Sequence, residues 1–68
     1  MGIQIKINGE DRHFGAPMSV SALLASLELE PVTIAIERNL EIVPRSRYSS
    51  VMLADGDRVE IVQFIGGG

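Results

Sequence analysis

The spacing of apolar residues changes period twice along the chain, and each change marks a change of secondary structure. Ile3, Ile5 and Ile7 alternate with Gln4, Lys6 and Asn8, the period of two that a half-buried strand requires. Asn8-Gly9 is a hairpin signal. Glu10-Asp11-Arg12-His13-Phe14 should therefore return as a second strand with Phe14 directed to the core, and Gly15-Ala16-Pro17 ends it. From Met18 the period lengthens. Val20, Leu23, Leu24 and Leu27 stand at i, i+3, i+4 and i+7, one apolar helical stripe. Ser19 is placed to cap the helix N-terminus, Met18 and Leu23 to staple it, and Pro31 to prevent its continuation. A helix of about two and a half turns does not persist alone, so it must lie on a sheet.

Alternation returns in Thr33–Arg38, with Ile34 and Ile36 inward, followed by a turn around Asn39. Glu41-Ile42-Val43 is a short strand closed by Pro44, a residue suited to sheet edges. Arg45–Ser50 reads as polar and irregular. An Asp55-Gly56-Asp57 turn then leads into a last strand from Val59 toward Phe64. This strand is the most apolar in the chain, which suits a central position. The pattern predicts an α+β fold, one helix across a mixed sheet of four to five strands. A right-handed crossover through the helix makes the strands flanking it parallel, with room for others between them. The chain carries no repeat or low-complexity linker, and it divides into one unit over residues 1–65 and a flexible tail over 66–68.

Composition narrows the function classes. A chain of 68 residues buries only roughly 60% of its unfolded surface, so its core is thin. Cysteine is absent, which removes disulfides, thiolate zinc sites and cysteine nucleophiles and agrees with a reducing compartment. No apolar run approaches the ~20 residues that span a bilayer. The first residues also lack the basic-then-apolar pattern of a signal peptide. The expectation is a soluble, cytoplasmic protein. The net charge of -3 argues against nucleic acid, where phosphates demand a basic face. Of the basic residues only Arg45 and Arg47 lie close together, as expected of a solvated loop.

Catalytic constellations are missing. His13 is the only histidine and alternates against Phe14, which puts it on the outer face of the first hairpin. A nucleophilic triad would need a serine and an orienting acid beside it, whereas Ser46, Ser49 and Ser50 lie in the irregular segment. Asp55 and Asp57 lack the twelve-residue loop and terminal bidentate Glu of a calcium site, and read as turn residues. The glycines form neither a GxGxxG fingerprint nor a phosphate loop. The reading is a protein without catalytic residues, metal or cofactor.

That leaves the end of the chain, Phe64-Ile65-Gly66-Gly67-Gly68. Val59 and Ile61 alternate with Glu60, but Val62 and Phe64 then put apolar side chains on the face expected to be solvated. Either Phe64 or Ile65 closes the end of the core, or the group forms an exposed apolar patch for a partner. Three glycines make a thread thin enough for a narrow channel. It ends in a carboxylate, which reacts as an electrophile only after conversion to a mixed anhydride.

Together, the Asn8-Gly9-Glu10 turn, "SVSALLASLEL", "VTIAIERNLEIVPRSRY" and "LADGDRVEIVQFIGGG" resemble the sulfur carriers of thiamin thiazole biosynthesis, the ThiS family. These ubiquitin-like β-grasp proteins are related to the small subunit of molybdopterin synthase. The resemblance runs from Ile3 to Gly68, with Asn39-Leu40 where the family has an asparagine-glycine turn. It implies a β-grasp sheet with the last strand between those carrying Ile3 and Ile34. It also implies that an E1-like, ATP-dependent adenylyltransferase activates the Gly68 carboxylate. A cysteine desulfurase or sulfurtransferase persulfide then turns the adenylate into a thiocarboxylate, and thiazole synthase receives the sulfur. Gly66 and Gly67 would form the thread, and Val62, Phe64 and Ile65 part of the docking face. Zinc and ATP belong to the activating enzyme. A carrier for molybdopterin or cysteine and a ubiquitin-like modifier remain the alternatives.

Overall fold

The computed structural model describes residues 2–64. Seven strands and one helix follow in the order β1 (Ile3–Ile7), β2 (Glu10–Phe14), β3 (Met18–Ser19), α1 (Val20–Ser26), β4 (Ile34–Arg38), β5 (Glu41–Val43), β6 (Met52–Leu53) and β7 (Arg58–Gln63). Single 3₁₀ turns at Pro31–Thr33 and Arg45–Arg47 join them. Five strands form one sheet in the order β2-β1-β7-β4-β5, and β3 pairs with β6 beside it. Only β1 and β7 run parallel in the large sheet; the other neighbours are antiparallel. β2 and β4, the strands of the large sheet before and after the helix, are consequently parallel to each other with β1 and β7 between them. This is the β-grasp arrangement, with the last strand central.

Alternation in β1 and β4 becomes burial directly. Ile3, Ile5, Ile7, Ile34 and Ile36 turn inward with Val43 and Val59, and meet Val20, Leu23 and Leu24 of the helix. Those three helical side chains are fully buried, each worth about 1.5–3 kcal/mol relative to exposure. On the outer face stand Gln4, Lys6, Asp11, His13, Glu37 and Glu60, as the registers require. The outermost strands are guarded. β2 is charged along most of its length, and β5 has three residues followed by Pro44, both features that discourage strand addition.

The segment that reads as irregular has a defined task at the helix start. Val20 N–H donates to Val51 C=O at 3.0 Å and Ser21 N–H to Tyr48 C=O at 2.8 Å, while Ser19 Oγ accepts from Ala22 N–H at 3.0 Å. The first-turn amides, which have no partner inside a helix, are all accounted for. α1 has only seven residues, shorter than its apolar stripe. It ends before Pro31 in a Schellman motif, with Leu29 N–H to Leu24 C=O at 2.9 Å and Glu28 N–H to Ala25 C=O at 3.0 Å. Glu28 takes the left-handed conformation there, φ +59°. In the β4–β5 turn Asn39 and Leu40 both have positive φ, +52° and +71°. The leucine is strained where a glycine would not be.

Candidate functional site

β7 carries the chain toward its last residues, and its flanks differ. Asn39 N–H donates to Arg58 C=O at 2.8 Å and Phe64 N–H to Thr33 C=O at 2.8 Å, so the even-numbered peptide groups face β4 and its approach. Lys6 N–H donates to Asp57 C=O at 3.0 Å and Asn8 N–H to Val59 C=O at 2.9 Å, so the odd-numbered groups face β1. The β4 side is occupied as far as Phe64. On the other side β1 ends level with Val59.

Side chains divide accordingly. Val59 is buried and Ile61 half-buried on the inner face, whereas Arg58, Glu60, Val62 and Phe64 lie on the outer face. Val62 is 54% exposed and Phe64 56% exposed, so neither is a closing piece of the core. Ile65, Gly66, Gly67 and Gly68 lie outside the described residues. The sequence pattern did not single out Ile42, which is 77% exposed and faces the same side, since its register partner is Glu37. Its three-residue strand is too short for alternation to reveal which of Ile42 and Val43 points inward. The outer face therefore presents Ile42, Val62 and Phe64 around Glu37 and Glu60, two carboxylates in direct register. Neither forms an ion pair among the described residues.

The other polar candidates are engaged in structure. His13 Nε2 meets Gln4 Oε1 at 3.0 Å on the outer face. Asp55 Oδ1 accepts from Gln4 N–H at 2.8 Å. Asp57 accepts from Ala54 N–H at 2.8 Å and from Asn39 Nδ2 at 3.0 Å, and Arg38 lies 3.6 Å from it. Ser50 Oγ donates to Arg47 C=O at 3.2 Å. Arg45 Nη2 donates to Val32 C=O at 3.3 Å. These groups tie turns to strands; Gln4, Asp55 and Asp57 border one open hollow with Lys6, Asp11 and Arg58, away from His13, Arg45 and Ser50. Among the described residues no three acidic, histidine or cysteine side chains gather as metal ligands would, and no helix is long and apolar enough to cross a membrane.

Comparison with known proteins concerns the same span of chain. The model of the ThiS family matches residues 5–68. A sulfur carrier protein ThiS of Bacillus subtilis is 42% identical over 65 residues, 94% of this chain and 98% of the relative. A thiazole synthase of Paramagnetospirillum magneticum is 54% identical over 66 residues, which make up 97% of this chain but 20% of that protein. The chain thus spans about a fifth of the length of that relative. The crystal structure of a thiamine biosynthesis protein (ThiS) from Geobacter metallireducens superposes with a TM-score of 0.84 at 30% identity, covering 97% of this chain and 100% of that one.

Proposed function

The chain belongs to the ThiS family of sulfur carriers, and from that premise we infer that it carries sulfur as a thiocarboxylate on Gly68. The observation that supports this most is the reach of the family match through residue 68, across the triple glycine. A terminal carboxylate is a poor electrophile. Attack of its oxygen on the α-phosphorus of ATP, with loss of pyrophosphate, makes an acyl-adenylate. A persulfide sulfur then displaces AMP at the carbonyl carbon, and a thiol cleaves the resulting S–S bond to leave the thiocarboxylate. With no cysteine in the chain, the persulfide and the thiol must come from partners. The carrier supplies recognition and reach, and does no catalysis of its own.

In this reading the activating partner is an E1-like adenylyltransferase, the sulfur source a cysteine desulfurase or sulfurtransferase, and the acceptor thiazole synthase. Gly66 and Gly67 form the thread into each active site. Val62, Phe64 and Ile65 form part of the docking face. The Glu37–Glu60 pair beside them calls for a cation on the partner, because like charges in register repel until neutralised. Thiazole synthase is favoured over molybdopterin and cysteine pathways because relatives of that name contain a segment like this chain. The reading sets the reaction in the cytoplasm, where ATP and reduced thiols are supplied.

Intact-mass spectrometry tests it. After incubation with ATP, a sulfur donor and the cognate activating enzyme, the mass should rise by the difference between one sulfur and one oxygen. Removal of Gly68 should abolish the gain. An unchanged mass alongside a demonstrably active enzyme would sink the proposal, and isopeptide conjugates in cells would point to a protein modifier instead.

A further inference from the structure

The two asparagine turns beside β7 do more than reverse the chain. Asn39, just after β4, accepts from Arg58 N–H through Oδ1 at 2.9 Å and donates from Nδ2 to Asp57 Oδ1 at 3.0 Å. It holds the beginning of the central strand. Asn8, just after β1, pairs with a peptide group further along. Its Nδ2 donates to Ile61 C=O at 3.1 Å, and its Oδ1 accepts from Ile61 N–H at 2.7 Å. Among the described residues no backbone group of β1 or its turn reaches β7 past Val59. On that flank, the part of the strand leading to the tail is fixed by one carboxamide.

A tight hairpin turn asks of Asn8 only that it accept positive φ, here +49°. Pairing with both polar groups of a peptide 53 positions away is more than the turn requires. Carboxamide and peptide share the same donor–acceptor geometry, so Asn8 continues the β1–β7 ladder where β1 has stopped. Val62 follows this anchor directly, and Phe64 comes two residues later. We propose that Asn8 is a positioning residue for the end of β7: its clamp on Ile61 fixes the direction in which the strand presents Val62 and Phe64 to the activating enzyme. The functional half of this inference rests on the carrier reading; the clamp itself does not. Without the clamp the end of β7 is held from the β4 side alone; its range of orientations widens, and the enzyme binds only the aligned fraction. Apparent affinity falls in proportion to that fraction.

Two matched substitutions separate this from a turn effect, because glycine accepts positive φ at either site. Asn8→Gly removes the clamp near the tail, and Asn39→Gly removes the equivalent bonds at the other end of β7. Amide hydrogen exchange and ATP–pyrophosphate exchange with the cognate activating enzyme are measured on the full chain. In Asn8→Gly the Ile61 amide should exchange at least about tenfold faster, and KM for the chain should rise about threefold to tenfold with kcat unchanged. Asn39→Gly should leave KM within about twofold of the original, however much it lowers Tm. Asn8→Asp keeps the acceptor for Ile61 N–H but turns a second oxygen toward Ile61 C=O, so its KM should fall between the original and Asn8→Gly. This variant carries the test if Asn8→Gly fails to fold. Unchanged Ile61 protection, an unchanged KM despite lost protection, or an equal KM rise in both glycine variants would overturn the proposal. An unaltered chain that an active enzyme ignores would count against the carrier reading instead, and Ile61 exchange would still decide whether the clamp holds.

Discussion

Tyr48 is 4% exposed, and its hydroxyl donates to the Ile34 carbonyl at 3.0 Å. Ile34 is a non-bonded partner of Gln63 in the β4–β7 register, so its carbonyl points toward β5. That strand ends at Val43, opposite Ile36, and the tyrosine hydroxyl takes the place of the missing peptide. Tyr48→Phe keeps the ring and strands the carbonyl, which should cost about 1–3 kcal/mol. Urea denaturation would measure it as a lower midpoint at constant m-value. A midpoint equal to that of the original protein would mean that water replaces the hydroxyl without loss. The sequence hid this residue among Arg45, Ser46, Arg47, Ser49 and Ser50. A single buried ring has no period of its own, and its partners are distant in the chain. Ser19 was legible for the opposite reason, because its cap acts three residues away.

At the level of elements, local period carried most of the information. β1, β2, α1, β4, β5 and β7 all fall where alternation or helical spacing puts them, with ends shifted by a residue or two. The two-residue ladder of β3 and β6 did not show, because two residues cannot display a period and Met18 pairs with Leu53 across 35 positions. The end of α1 is also instructive. Pro31 looked like its stop signal, yet the helix has already closed through Glu28 in the left-handed region. Glycine is the favoured residue at that position. Glu28→Gly should therefore stabilise the fold by about 1 kcal/mol, the usual left-handed penalty less the backbone entropy of glycine. A thermal melt that shifts downward would show that the Glu28 side chain contributes something the hydrogen bonds do not reveal.

For the whole molecule, the outer face of the sheet is where stability can be separated from the proposed recognition. Val62 and Phe64 are more than half exposed, so replacing both with serine should change unfolding free energy by no more than about 0.5 kcal/mol each. If they form the docking face, the same double variant should weaken binding to the activating enzyme by at least about tenfold. Calorimetric titration would read the binding and a denaturant curve the stability. Equal affinity for the variant would move the docking surface elsewhere. The exposure of these residues was partly legible, since Val62 breaks the alternation of its strand. Their neighbour Ile42 was not, because its place on that face depends on a pairing between strands rather than on its own segment.

β7 comes last among the described strands yet lies between β1 and β4, and this has a consequence for synthesis. Until residues 58–63 exist, the β1–β2 and β4–β5 hairpins share no strand pairing. Each alone is a two-stranded ribbon, marginal in water. Long-range pairing is also the slow part of folding. A nascent chain arrested upstream of Arg58 cannot close the sheet, however long it waits on the ribosome. The segment that closes it is followed by Phe64, Ile65 and three glycines. In the carrier reading, an unfinished translation product would offer an activating enzyme no folded surface, and ATP would not be spent on it.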